Sequence, residues 1–358
     1  MTNSNGSIGF SPGYATNVLD EDARVLRGPF QVALDITNRC NFRCMHCYNA
    51  SGENYIKPSD ELTDEEILDF ATDLASLKPY NFCFCGGETL LRKDLMIEAA
   101  KILKTGCRYV SMVTNGYLVT PELAREIIEN GITRIQVSLD GAGPNTHDRL
   151  RRQQGAFLKA VAAIQAFRDA GAHSIEAAFC PTRFNSQELP AVYELCRQLG
   201  VGSLRVQPLM YLGRANKFID ELVPTNSQYR ELVSIINKYK AACALPSIEW
   251  GDPIDHIIRF RTIISACVPH VNIKANGSIT PTPYMPLTVG NIKRHRFSEY
   301  WNSGLIGVWQ NPTVQEFAEH IQSVPDYCKA SEDAPRVWFE EDVDIDLIDS
   351  DVFKKELV

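Results

Sequence analysis

The chain has no surplus of positive charge. Its 36 lysines and arginines stand against 44 aspartates and glutamates, a net charge of -8 over 358 residues. A broad nucleic-acid or anionic-membrane surface needs a basic patch, so neither partner is expected. No apolar stretch reaches the roughly 18 residues that suggest a spanning helix. The first residues, Met1-Thr-Asn-Ser-Asn-Gly-Ser7, have neither the basic region nor the apolar core of a secretory signal. A cytoplasmic location is therefore expected. There is little sign of a disulfide framework either, because the 11 cysteines are odd in number and unevenly clustered. Thiols kept reduced for metal ligation fit that usage better. What remains, 44% hydrophobic and 22% charged, is ordinary for a globular enzyme. The length allows one large domain and a smaller one.

Three of the cysteines form the run Cys40-Asn-Phe-Arg-Cys44-Met-His-Cys47, directly after a strand-like segment at 31–37. Cubane iron–sulfur clusters normally take four cysteine thiolates, so a CxxxCxxC trio leaves one iron without a protein ligand. The bland alternative is a zinc knot. Zinc sites favour CxxC pairs with a fourth protein ligand nearby, and that pairing is absent here.

Short β-rich runs alternate with amphipathic helical patterns through the first 210 or so residues. Strands are predicted at 31–37, 81–85, 109–114, 134–139, 174–180 and 204–208, with helices at 64–77, 92–103, 121–129, 157–170 and 186–199. Thr63 before three acids, and Thr120 before Pro121, are helix-start signals. Strands separated by helices in this rhythm imply right-handed βαβ units and a parallel sheet. The fold class is therefore α/β.

Alternation inside the strands adds a clue. Ile135, Val137 and Leu139 share one face of the fourth strand, and Gln136, Ser138 and Asp140 the other. Leu34 and Ile36 oppose Asp35 and Thr37 in the same way. Strands buried on both faces are nearly continuous in apolar residues, so a repeated polar face implies an interior that holds a polar ligand.

Further motifs sit at the strand ends: Gly86-Gly87-Glu88 after the second, Thr114-Asn115-Gly116 at the third, Ser138-Leu-Asp140-Gly141 at the fourth, then His147-Asp-Arg-Leu-Arg151 and Gln207-Pro208. In this order, downstream of the cysteine trio, they resemble the radical SAM superfamily over residues 31 to about 215. That resemblance implies a partial (β/α)6 barrel of parallel strands with the site at its C-terminal mouth. It implies one [4Fe-4S] cluster on Cys40, Cys44 and Cys47, whose open iron S-adenosylmethionine completes. Reductive cleavage would then yield a 5′-deoxyadenosyl radical that abstracts hydrogen from a substrate. Contacts to that cofactor fall on Gly86, Gly87, Glu88, Asn115, Ser138, Asp140, Arg151 and Gln207. Ser138 and Asp140, two apart on the polar face, are expected to reach one ribose, and Arg151 to meet the methionyl carboxylate. An electron donor such as flavodoxin or ferredoxin is implied as a partner. A non-catalytic iron–sulfur protein would need neither the Gly-Gly-Glu nor the Ser-Leu-Asp loop.

Beyond the barrel, residues 277–292 resemble the SPASM/Twitch extension and contain a hairpin signal at Asn276-Gly277. The expected organisation is a flexible arm at 1–28, the barrel at 29–220, a smaller α+β extension at 221–335 and an acidic tail at 336–358 that is solvated or acts as a lid. Cys267 matches the extension's first cysteine, but Thr282 and Ser331 stand where later ones belong, leaving Cys328 without its pair. Two thiols do not hold a cubane unaided, so an auxiliary cluster is not expected. Without one as electron acceptor, redox-neutral or reductive outcomes such as epimerisation gain weight. The tail points to a peptide or peptide-derived substrate, with a sugar, aminocyclitol, nucleoside or tetrapyrrole as the alternative. Hydrogen return would call for a donor thiol. Cys180 ends the fifth strand on the inward face and is the catalytic candidate, against the plain reading of a buried strand thiol. Cys83 and Cys85 read as interior packing beside the cofactor; Cys107, Cys196 and Cys243 carry no signal.

Overall fold

The computed structural model describes residues 28–262, 270–323, 326 and 342–350. Most of the N-terminal arm, together with Cys267, Cys328 and Ser331, lies outside the described residues.

Six parallel strands follow the predicted order: β1 (Gln31–Asp35), β2 (Asn81–Cys85), β3 (Tyr109–Thr114), β4 (Ile132–Ser138), β5 (Ser174–Phe179) and β6 (Ser203–Val206). The helices between them are α1 (Asp64–Ser76), α2 (Lys93–Leu103), α3 (Pro121–Glu129), α4 (Pro144–Arg151), α5 (Ala156–Asp169) and α6 (Leu189–Leu199). Local chemistry sets their ends. At α1 the Thr63 hydroxyl accepts from the Glu66 N–H while the Glu66 carboxylate accepts from the Thr63 N–H, so two orphan donors are satisfied together. Ile67, Phe70, Ala71 and Leu74 then form one buried stripe at helical spacing. β1 stops at Asp35 rather than Thr37, because the Thr37 hydroxyl turns away to donate to Glu61 and opens the cysteine loop.

α4 is an element the sequence reading did not place. It begins at Pro144 and ends where Arg152 takes up a left-handed conformation (φ 53°). The HDRLR segment is therefore helical, which puts His147 and Arg151, four apart, on one face.

The sheet is wider than the six expected strands. After the short α7 (Ile219–Leu222) and the long α8 (Asn226–Ala242), β7 (Ser247–Trp250) pairs in parallel with β6. After α9 (Pro253–Thr262), β8 (His270–Ile273) pairs in parallel with β1 at the other edge. β9 (Ser278–Thr280) returns antiparallel through the predicted turn, where Gly277 has φ +89° and its N–H reaches the Lys274 carbonyl at 2.8 Å. β10 (Leu287–Thr288) and β11 (Gly290–Asn291) follow, and β11 pairs with β9 to complete a ten-stranded sheet. Residues beyond the barrel thus extend its sheet at both edges.

The described part of the acidic tail is docked rather than solvated. β12 (Val343–Asp344) pairs with β10, Tyr300 donates to Asp346 at 2.8 Å, and Arg294 pairs with both Asp344 and Asp346. Local basic and phenolic partners hold those acids, which composition alone does not reveal. No helix among the described residues is long and apolar enough to cross a membrane.

Candidate active site

One cavity of about 710 Å³ occupies the lumen and the C-terminal mouth of the sheet, and all twelve residues singled out from the sequence line it. Its wall is formed by the polar face read from strand alternation: Asp35 from β1, Cys83 and Cys85 from β2, Gln136 and Ser138 from β4, with the apolar alternates Leu34, Ile135 and Val137 buried behind.

The cysteine loop is held from three sides. Arg214, almost fully buried, donates from Nη1 to the Cys44 carbonyl (3.1 Å) and from Nη2 to the Ser51 carbonyl (3.0 Å), while its own N–H reaches the Cys47 carbonyl (2.9 Å). Asn115 donates to the Asn41 side chain at 2.8 Å, tying the loop to the end of β3. The Phe42 N–H points at the Cys40 sulfur at 3.4 Å, and Phe42, Tyr117 and Ala156 pack beside the thiols. Burial pushes the Cys44 thiol up to about 12 and raises Cys40 as well. Three sulfurs therefore face one pocket in a shielded setting that favours thiolates only once a cation is bound. Among the described residues no three His, Cys, Asp or Glu side chains converge on a single ion. A cluster that gives each thiol its own iron fits this donor set, and one zinc ion does not.

The Gly-Gly-Glu loop packs directly on the cysteine loop. Gly86 has φ +130°, and a Cβ there would lie 2.4 Å from the Thr37 carbonyl; at Gly87 it would lie 2.0 Å from the Arg39 carbonyl. The glycines are thus demanded by the neighbouring backbone, a reason that ligand approach had seemed to supply. The Glu88 side chain does not face a ligand alone: it accepts from Thr114 (2.7 Å) and from the Asn115 N–H (2.9 Å). Burial raises its carboxyl despite those donors.

Asp140 is engaged by several partners. Arg151 grips one carboxylate oxygen through Nε (2.8 Å) and Nη2 (2.6 Å), and the Cys180 N–H takes the other at 2.8 Å. His46 Nε2 adds a contact at 3.5 Å. Burial alone would raise Asp140, but Arg151 and the nearby histidines outweigh it and hold the carboxyl below its usual range. Ser138 and Asp140 both line the cavity, with the Asp140 carboxylate engaged by Arg151 and the Cys180 N–H. Burial lowers both His46 and His147 to about 4, so these imidazoles are neutral.

A family model, the Radical SAM superfamily, matches residues 34–196. The chain carries a radical SAM superfamily domain. It is 28% identical over 293 residues to an AdoMet-dependent heme synthase of Methanosarcina barkeri, covering 77% of this chain and 82% of that protein. It is 29% identical to pre-heme d1 synthase of Dinoroseobacter shibae, covering 78% and 75%. A mycofactocin maturase of Mycolicibacterium smegmatis is 29% identical over shorter spans, 60% and 53%. Among solved structures, Streptococcus suis SuiB bound to S-adenosylmethionine superposes with a TM-score of 0.63 at 12% identity, covering 88% of this chain and 77% of that one. At that identity the likeness shows the fold, a radical SAM partial barrel.

As a radical SAM enzyme this protein uses a [4Fe-4S] cluster and S-adenosylmethionine. Sequence reasoning missed several residues of its cavity. Arg214's clamp on the cysteine loop has no local signature in the sequence. His46 lay in plain view between Cys44 and Cys47. Asp35 faces the lumen, where burial raises its carboxyl to about 7, partly opposed by Lys274. Cys83 and Cys85 lie 3.5 Å apart, sulfur to sulfur, on the same wall. Gln207 lines the cavity as expected but donates to Tyr284 at 3.0 Å, linking the last barrel strand to the extension. Cys180 also lines it, and burial raises its thiol well above the ordinary range, so it keeps its proton.

Proposed function

We propose that this radical SAM enzyme abstracts hydrogen from a side-chain carbon of a tetrapyrrole. The carrying observation is the lumen itself: a single cavity whose wall carries the rings of Trp250, Tyr284 and Phe30 together with Arg205 and His270. A conjugated, carboxylate-bearing small molecule suits such a wall. The relatives matched over about three quarters or more of both chains, the heme and pre-heme d1 synthases, support the same choice. This departs from the peptide substrate favoured by the extension alone. The mycofactocin maturase likeness keeps a peptide as the second reading.

Cys40, Cys44 and Cys47 would hold the cluster, and Gly86 and Gly87 line the same cavity. When bound, the cluster and S-adenosylmethionine supply a carbon-centred radical that takes a hydrogen atom from the substrate. Glu88 fixes the Thr114–Asn115 corner, Asp140 aims Arg151 at the methionyl carboxylate, and Ser138, Asn115 and Gln207 offer further polar contacts. Phe42 and Tyr117 keep water from the thiol side. On the second, peptide reading, the protonated Cys180 thiol would return a hydrogen atom to the inverted carbon, and the thiyl radical left behind would be reduced by the external electron donor. The region after the barrel is read as a SPASM/Twitch-like extension with a docked acidic tail.

The test is anaerobic. Reduced, reconstituted enzyme is incubated with S-adenosylmethionine and either a porphyrin tetracarboxylate or a peptide, and 5′-deoxyadenosine is counted. Stimulation by the porphyrin is expected. Release that rises only with the peptide would replace the tetrapyrrole reading.

A further inference from the structure

Deep in the lumen, Arg205 lies on the inward face of β6 beside Ala178 of β5 and Glu249 of β7. Its guanidinium passes over Gly251, where a Cβ would come within 2.8 Å of Nε, so only glycine leaves room for it. It reaches far enough across the lumen to bias His270 of β8 and Tyr284 of the extension electrostatically. Yet among the described residues no carboxylate forms an ion pair with it. Glu176 on β5 is hydrogen-bonded to Gln136; burial raises its carboxyl and the facing Arg205 only partly offsets that. The two buried arginines of this cavity each hold a carboxylate of the chain: Arg151 pairs with Asp140, and Arg214 with Glu53 while it also holds the cysteine-loop carbonyls. A cation drawn out of bulk water without a partner is costly, and an anionic ligand removes that cost.

Resting on the tetrapyrrole reading, we propose that Arg205 is the receptor for a carboxylate side arm of the substrate, docked on the β6–β7 wall of the lumen. A guanidinium fork matches a carboxylate with two parallel hydrogen bonds. His270, held near 4 by burial and by Arg205, remains neutral and can donate without adding charge. Trp250, fixed by its Nε1–H to Asp252 at 3.2 Å, and Tyr284, fixed by Gln207, present rings to a flat conjugated body. Arg205 thereby sets substrate orientation by anchoring one arm.

S-adenosylmethionine also bears a carboxylate, so the experiment separates the two sources. Holoenzyme, wild type and Arg205→Gln, is titrated anaerobically with a porphyrin tetracarboxylate, with the corresponding tetramethyl ester and with S-adenosylmethionine, following porphyrin absorbance and cluster spectra. The expected result is a tenfold to hundredfold weaker Kd for the tetracarboxylate in Arg205→Gln, weak binding of the ester to both proteins, and S-adenosylmethionine affinity within twofold. Arg205→Lys should recover part of the loss, and Gly251→Ala should reproduce it without touching the arginine. An unchanged tetracarboxylate Kd in Arg205→Gln, or an ester that binds as tightly as the acid, overturns the assignment while the tetrapyrrole reading stands. A wild-type enzyme that binds neither porphyrin overturns both. Loss confined to S-adenosylmethionine would assign Arg205 to the cofactor and refute the proposal.

Discussion

Replacing Asp35 by asparagine should stabilise the protein increasingly as pH rises from about 4 to about 7. Asp35 faces the lumen from β1, and burial raises its carboxyl from 3.8 to about 7, with Lys274 only partly compensating. Between those two values the folded protein keeps a proton that the unfolded chain has given up, so stability falls as pH rises through that window. A difference of about 3 pK units corresponds to a ceiling of about 4 kcal/mol, and water in the cavity lowers the realistic figure to about 2 kcal/mol. Asparagine has nearly the same shape and never ionises. Below about pH 4 the two proteins should therefore match; the variant's advantage should be partial at pH 5 and full at pH 8. For a chain of 358 residues, 2 to 4 kcal/mol corresponds to roughly 3 to 5 °C in Tm. The assay is thermal unfolding of reconstituted, anaerobic protein followed by far-ultraviolet circular dichroism at pH 5 and pH 8. A variant with the same Tm offset at both pH values would refute the assignment of Asp35 as a buried, reluctant anion.

Four further outcomes are expected. Arg214→Ala strands the buried Cys44 and Ser51 carbonyls, costing about 3 kcal/mol and lowering iron per chain, whereas Glu53→Ala, on the exposed side of the same pair, should change stability by less than about 1 kcal/mol; equal iron loss in both would contradict the clamp. Gly87→Ala drives a methyl into the Arg39 carbonyl, so S-adenosylmethionine binding should be lost or the fold weakened by about 3 kcal/mol or more, read by titration and unfolding. Cys180→Ala should leave 5′-deoxyadenosine release intact but abolish deuterium uptake into product from heavy water; retained uptake removes Cys180 as the donor. Iron and sulfide counts on wild type should reach about four of each, falling in Cys40→Ser, Cys44→Ser and Cys47→Ser, and a clearly higher wild-type count would establish a second cluster.

Sequence by itself determined the parts governed by local rules. Period-2 alternation placed β2 and β3 to the residue and told the lumen face from the helix-covered face, because strand geometry sends successive side chains to opposite sides. Capping chemistry fixed where α1 and α3 begin. Motif order found every wall residue it named, since strand ends in a parallel barrel share one mouth. Tertiary structure alone decided which of those groups are free. Asp140 and Glu88 looked like ligands in one dimension, but their oxygens are taken by partners 11 to 40 and 2 to 27 residues away. It also decided that β7 and β8 join the barrel's edges, and that Arg205 forms no ion pair among the described residues. Such facts depend on long-range pairing and on how far a charge lies from water, and neither leaves a periodic trace along the chain.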